Sequence, residues 1–478
     1  MVFSSVEFLL FFLPIFLLLY GFAPSKMKNV ILLTGSLIFY TLGEVWSLPI
    51  LLGSLLVNYF MGLHIGRRAI PRMETEQGKK GAEREREEVI YKNQIRSRQA
   101  KRRRRLFVNA VICNAAVLAV LKFWKGSLPL GISFYTFQII SYLTDIYRGE
   151  QEKETSIIRF SNYIVMFPRL VSGPIVNYGE VRAALQERQV TLKGIQAGLK
   201  TFTMGLAAKV LLADRIGILW RDVQITGFES ISTQLAWLAA IAYSLMLYFD
   251  FYGYSLMAMG LGRMLGFELP VNFKNPYMAV SVRDFYRRWH MTLGRWFCKY
   301  VYIPLGGNRR GEFRTVCNLL AVWLLTAIWH GSTANFLIWG MLLWLAIVVE
   351  RQLEALGILR FLNRGIGKLF THAWVLAVIP VTWMCFAITD LEQLQIFLGR
   401  MFHTVSPIKV SPGDWHRALE DYGWLLGMGL FACTPAISKI YRRLKDTWPG
   451  VILLSALFWF CVWRLQAEGQ NPFMYRDF

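Results

Sequence analysis

Two histidines in this sequence sit where a protonatable side chain is costly. His290 and His330 each directly follow a tryptophan, in RRWH and IWHG, within the stretch 281–339 of a chain that otherwise reads as membrane. An ionisable residue in a bilayer-embedded segment costs roughly 2.5 to 3.5 kcal/mol on insertion scales, so it usually faces a cavity or a partner. Imidazole is also the side chain suited to taking a proton from an alcohol near neutral pH, an effect worth about 10²- to 10⁴-fold. A lone histidine on an apolar segment is more often a satisfied core residue. Here, however, His330 ends its apolar run before the turn Gly331-Ser332, and a second histidine lies upstream.

Arg287 and Arg288 come just before His290, and between the two histidines lie Arg295, Arg309 and the turn Pro304-Leu305-Gly306-Gly307-Asn308, whose residue types suit a close backbone approach. If 285–301 is one helix, Arg287, His290, Gly294 and Phe297 share a face, with Arg283 one turn back. A segment this basic is either a cationic vestibule for a phosphorylated donor or a collar of cytoplasmic positive charge, and residue types alone leave both open. There is no GxSxG elbow, no HExxH and no paired metal-ligand spacing, so no metal site is expected. His64, His372, His403 and His416 have no comparable surroundings.

The elements that must position these residues are apolar helices. Of 478 residues 55% are hydrophobic and 15% aromatic, which is not a water-soluble composition. Apolar runs at 8–22, 29–42, 46–63, 106–124, 128–146, 195–212, 235–259, 317–328, 336–349, 373–388, 424–437 and 451–463 predict an all-α polytopic membrane protein. About ten to twelve spans are expected, some tilted or re-entrant because they fall short of about 20 residues. The first run lacks a basic leader and a small-residue cleavage site, and is expected to be retained as a span. The net charge of +22 resides in Lys and Arg between apolar runs, the pattern of cytoplasmic loops rather than of nucleic-acid binding. Its alternation places the N-terminus outside. The chain is expected to be one membrane domain, 1–478, carrying a basic cytoplasmic loop at 66–105 that could bind anionic lipid or simply anchor the topology. Six cysteines without CxxC spacing imply no disulfide or zinc framework.

Four further segments bear on the site. Asp145 and Arg148 suggest an interfacial pair. FPRLVSGPIVNYGE, at 167–180, has two prolines and Gly173, and is either a re-entrant, cavity-lining element or a surface loop. Asp250, among aromatics, must be paired or hydrogen-bonded inside the bundle, in support of the site. PVNFKNP, at 270–276, is a polar turn leading into the central stretch.

DFYRRWHMTLGRWFCKYVYIPLGGNR followed by IWHGSTANFLIWG resembles the signature of the membrane-bound O-acyltransferase family, in the bacterial branch typified by alginate O-acetylase. LPLGISFYTFQIISYLTDIYRG, FPRLVSGPI, YFDFYGYSLMAMGLG and the N-terminal MVFSSVEFLLFFLPIFLLLY are similar to that branch in the same order. The resemblance implies a multi-spanning fold with a central cavity, His330 as catalytic base and His290 as the second active-site histidine. Arg287, Arg288, Arg295 and Arg309 would then meet the donor, with Asp250, Trp289, Trp329 and Asn308 as structural support. It implies transfer of an acetyl group from a cytosolic thioester, acetyl-CoA, to hydroxyls of an exported or cell-wall polysaccharide, with no resident cofactor. It further implies an extracytoplasmic SGNH-like partner and a bacterial inner-membrane location. The chain departs from the branch at Leu256, where an acidic residue is common, which bears on the acceptor. The runner-up is the teichoic acid D-alanyl transferase branch, fed by an acylated carrier protein; the IPLGGNR turn favours the acetylases. A transporter with a histidine proton relay is a rival class, but transporters commonly carry internal repeats and neither RRWH nor WHG occurs twice. A non-catalytic scaffold would leave the buried histidines and arginines without a purpose.

Overall fold

The computed structural model describes residues 2–66, 82–123, 128–362 and 365–468, and all regular structure among them is helical. The helices that position the site, in chain order, are α1 (Phe8–Phe22) and α2 (Lys28–Gly43), then α3 (Leu48–Ile65), α4 (Ala82–Phe123), α5 (Ile132–Arg148) and α6 (Leu192–Ala207). They continue with α7 (Thr233–Met264), α8 (Val282–Arg288), α9 (Met291–Phe297), α10 (Glu312–His330), α11 (Ala334–Ala355), α12 (Gly367–Ala387), α13 (Asp414–Ala432), α14 (Pro435–Leu444) and α15 (Trp448–Glu468). Seven are long and apolar enough to cross a membrane: α3, α4 from Val89, α7, α10, α11, α12 and α15. The pair α13–α14, bent by 74°, makes an eighth if it is one span, and α1 and α2 are shorter apolar helices. The apolar runs at 128–146 and 195–212 do not add spans of that kind. In α5 every side chain from Ile132 to Ile146 except Ile140 is buried, so its apolar length faces protein rather than lipid.

Two compact units are interleaved along the sequence. The smaller comprises Pro24–Leu170 and Asn177–Glu187. There, residues 82–105 of the expected loop are helical, as the first part of α4, and 67–81 lie outside the described residues. Arg103 of the basic cluster donates from Nε to the Ile65 carbonyl (2.8 Å) and from Nη2 to that of Tyr147 (3.1 Å), satisfying the C-terminal ends of α3 and α5. Asn58 and Asn114 exchange side-chain hydrogen bonds of 3.0 and 2.8 Å between α3 and α4. Asp145 is buried, and Arg148 lies 3.7 Å from Glu150.

The larger unit comprises Met1–Ala23, Val171–Val176 and Arg188–Phe478 and holds both histidines. Its central crossing joins α6 to α7 through glycines spaced seven apart on each helix. A Cβ added at Gly205 would lie 2.5 Å from the Gly253 carbonyl, and one at Gly260 would lie 2.6 Å from that of Gly198. Without a hydrophobic drive in lipid, such close backbone approach is what holds membrane helices together. Just past this crossing a π-helical turn, Ala208–Ala213, carries Lys209, whose Nζ lies 2.6 Å from Asp250 and 2.8 Å from Asp214. Asp250 is thus buried against a cation, as an interior carboxylate must be.

Gly205→Ala or Gly253→Ala is expected to destabilise the larger unit by about 1–3 kcal/mol, the usual cost of overpacking. Thermal unfolding in detergent checks this, with Gly53→Ala as control, because a Cβ there meets nothing within 4 Å and should not lower the midpoint.

Candidate active site

The central stretch begins with a well-anchored short helix. Ser281 Oγ accepts from the Asp284 amide (2.9 Å) at the start of α8. Glu350, buried on α11, accepts from the amides of Val282 (2.6 Å) and Arg283 (3.1 Å). A carboxylate at a helix N-terminus satisfies orphan donors and complements the helix dipole. The single helix expected over 285–301 is instead α8, a break at Trp289–His290, α9, and a π-helical turn at Cys298–Tyr302. His290 takes φ 43° and ψ 52°, the left-handed region, which costs a non-glycine residue about 1–3 kcal/mol and persists only where surroundings over-determine it. They do so through the turn before α8. Met291 N donates to the Asn272 carbonyl (2.9 Å), Lys274 N to that of Arg288 (3.0 Å), and Thr292 N to Asn272 Oδ1 (3.2 Å).

Despite the break, Arg283, Arg287, His290, Gly294 and Phe297 all line one cavity of about 860 Å³. His330 lines it too, from the last position of α10. His290 is buried, with the edge of its ring against Phe251 (4.7 Å) and Nδ1 3.1 Å from Asn272 Oδ1. It lies outside the candidate spans, and burial pushes its imidazole down to about 3, so the ring is neutral at physiological pH. His330 is buried among Trp329 (4.5 Å), Trp339 (5.0 Å) and Phe386 (5.1 Å). At Gly331, just beyond it, the Phe336 ring leaves no room for a side chain.

The cavity is cationic as well as aromatic. Arg283 pairs with Glu354 (2.6 Å) and Arg351 with Glu312 (2.5 Å). Arg287, Arg309 and Arg310 line the cavity and have no ion pair among the described residues. Of the four arginines expected from sequence, Arg287 and Arg309 therefore reach the cavity. Arg288 is outside its lining and pairs with Asp284 (2.9 Å); Arg295 is exposed and also outside it. Asn308 lines the cavity from a turn in which Gly306 and Gly307 take φ 113° and 57°, fixed by Asn318 donating to the Gly307 carbonyl (2.9 Å). Trp289 lines the cavity, and Trp329 touches His330 without lining it. Asp250 precedes Phe251, the ring against His290. Residues 171–176 are all buried, so FPRLVSGPI is not a surface loop, and Ile175 N donates to Thr292 Oγ1 (3.1 Å). Asn272, Arg310, Glu350 and Arg351 were not singled out from sequence. The sequence signals were that Asn272 lies in the polar turn PVNFKNP, that Arg310 follows Arg309 and that Glu350 closes an apolar run.

Residues 128–388 match the membrane-bound O-acyltransferase family. The chain is 32% identical to a probable alginate O-acetylase of Pseudomonas putida, with all of both chains covered. It is 31% identical to a peptidoglycan O-acetyltransferase of Helicobacter pylori, over 84% of this chain and 79% of that one. A teichoic acid D-alanyltransferase of Bacillus subtilis is 26% identical, over 62% of this chain and 79% of that one.

Glu350→Ala is expected to cost about 1.5–3 kcal/mol by orphaning two amides from a charged acceptor, and Glu350→Gln, which keeps one acceptor oxygen, less. Thermal unfolding of the purified variants reads both.

Proposed function

Because the chain belongs to the membrane-bound O-acyltransferase family, we propose that this multi-pass O-acyltransferase moves an acetyl group from cytosolic acetyl-CoA across a bacterial inner membrane to hydroxyls of an exported or cell-wall polysaccharide. The observation that carries the reading is one cavity lined by both histidines and by three arginines that have no ion pair among the described residues. The acetylase relatives, aligned over most of this chain, support acetyl over alanyl transfer.

In this mechanism His330 takes the proton of the acceptor hydroxyl as its oxygen attacks the thioester carbonyl. The new C–O bond forms, the C–S bond breaks, and the proton passes from His330 to the departing thiolate, releasing CoA as the thiol. Arg287, Arg309 and Arg310 hold the donor's phosphates, for which guanidinium forks are matched. The aromatic lining around His330 excludes water, which would otherwise compete for the thioester. An extracytoplasmic SGNH-like protein receives the acetyl group and delivers it to the polymer.

Purified protein in nanodiscs, given acetyl-CoA, an oligosaccharide acceptor and an extracytoplasmic extract that supplies the partner, is expected to release free CoA. His330→Ala should lower kcat by about 10²-fold or more, and Arg287→Ala, Arg309→Ala or Arg310→Ala should raise the KM for acetyl-CoA. Full polymer acetylation by His330→Ala in cells would overturn the base assignment. A requirement for an acylated carrier protein would overturn the donor in favour of alanyl transfer.

A further inference from the structure

Behind His290 lies a buried polar network that the mechanism above does not use. Asn272, 1% exposed, places its Oδ1 within reach of three donors: Thr292 N (3.2 Å), Thr292 Oγ1 (2.9 Å) and His290 Nδ1 (3.1 Å). Thr292 Oγ1 in turn accepts from Ile175 N (3.1 Å), so the hydroxyl has one proton to give and Asn272 to give it to. The usual ambiguity of an amide's orientation and of a histidine's tautomer does not arise here. A backbone N–H can only donate, so the Asn272 atom facing Thr292 N is the oxygen. An amide oxygen can only accept, so the His290 nitrogen facing it carries the proton. The other ring nitrogen, Nε2, is buried without a hydrogen-bond partner among the described residues, in a side chain that lines the cavity.

We propose that Asn272 is a positioning residue that locks His290 in the Nδ1–H tautomer, leaving the Nε2 lone pair to accept a hydrogen bond from a neighbouring hydroxyl of the acceptor, other than the one His330 deprotonates, and so orient the acceptor for attack. The opposite tautomer would present an N–H there instead of a lone pair, and a neighbouring hydroxyl would have to turn its oxygen rather than its proton to the ring. The left-handed backbone at His290 belongs to the same device. Asn272 binds the chain at Met291 and Thr292, the two residues after His290, as well as the ring itself, so ring and backbone are fixed from one residue. The substrate half of the proposal rests on the acyl-transfer reading; the tautomer does not.

The test is a ¹⁵N spectrum of histidine-labelled protein in nanodiscs, with His290 assigned from the difference against His290→Gln. In the unmodified protein Nδ1 is expected at the protonated shift and Nε2 at the lone-pair shift. Asn272→Leu, similar in size but without an acceptor, should lose that single tautomer and lower kcat by about 100-fold, with the donor KM nearly unchanged; Asn272→Asp, which keeps the acceptor oxygens, should retain the tautomer and lose about 10-fold or less. A protonated Nε2 in the unmodified protein overturns the proposal. So does an Asn272→Leu protein that folds and keeps both the tautomer and kcat. If Asn272→Leu fails to fold, the unmodified spectrum and Asn272→Asp decide. The spectrum needs no turnover, so a protein with the expected tautomer that releases no CoA from acetyl-CoA would sink the donor reading and leave the tautomer standing.

Discussion

Backbone that leaves the helix while buried in protein is cut off from water, so its donors and acceptors must be met by the protein itself. The break at Trp289–His290 meets that constraint from several directions at once. Segment 272–274 takes the amides of Met291 and Thr292 and donates to the carbonyl of Arg288. Glu350 on α11 fixes the start of α8, and the buried strip 171–176 reaches Thr292. Remove any one and a buried polar group is orphaned, at about 1–3 kcal/mol each. The direction of the His290 ring, and with it the composition of the cavity wall, follows from these bonds.

The charges around the cavity divide into two kinds by their partners. Arg283–Glu354 joins α8 to α11, and Arg351–Glu312 joins α11 to α10. Side chains in these pairs are about a third to a half exposed, so each contributes only about 0–1 kcal/mol. Their effect is geometric: they hold three cavity-forming helices in place and use up two of the five lining guanidinium groups. Positive charge is thereby concentrated on Arg287, Arg309 and Arg310, where it can act on a ligand.

What could be read from the sequence was chemistry in the wrong solvent. His290, His330 and Arg287 drew attention because their side chains are costly in an apolar chain, and the face of Arg283, Arg287, His290, Gly294 and Phe297 was found by helical spacing alone. The break within that face was not visible, because its cause lies in Asn272, 18 residues away. Glu350 was hidden for a similar reason. It acts on amides 67 and 68 residues earlier, and backbone amides leave no trace in a sequence. Arg288 lies outside the cavity lining because spacing puts a residue on a helix without saying which side meets an acid, and here Asp284 pairs with it. Apolar run length does not separate a helix that crosses a membrane from one, such as α5, whose apolar length is buried in protein.

The interleaving of the two units has a consequence for how the molecule is made. Tyr20, on α1, donates to the carbonyl of Leu265, 245 residues later, and stacks its ring with that of Phe16. At about 5–20 residues per second of synthesis, α1 waits on the order of tens of seconds before that partner exists. During that interval all the residues of the smaller unit emerge, and 171–176 pass by as a strip whose eventual partner, Thr292, is not yet made. The larger unit therefore closes late in translation, around elements laid down early, and the histidine cavity is among the last parts of the chain to acquire its shape.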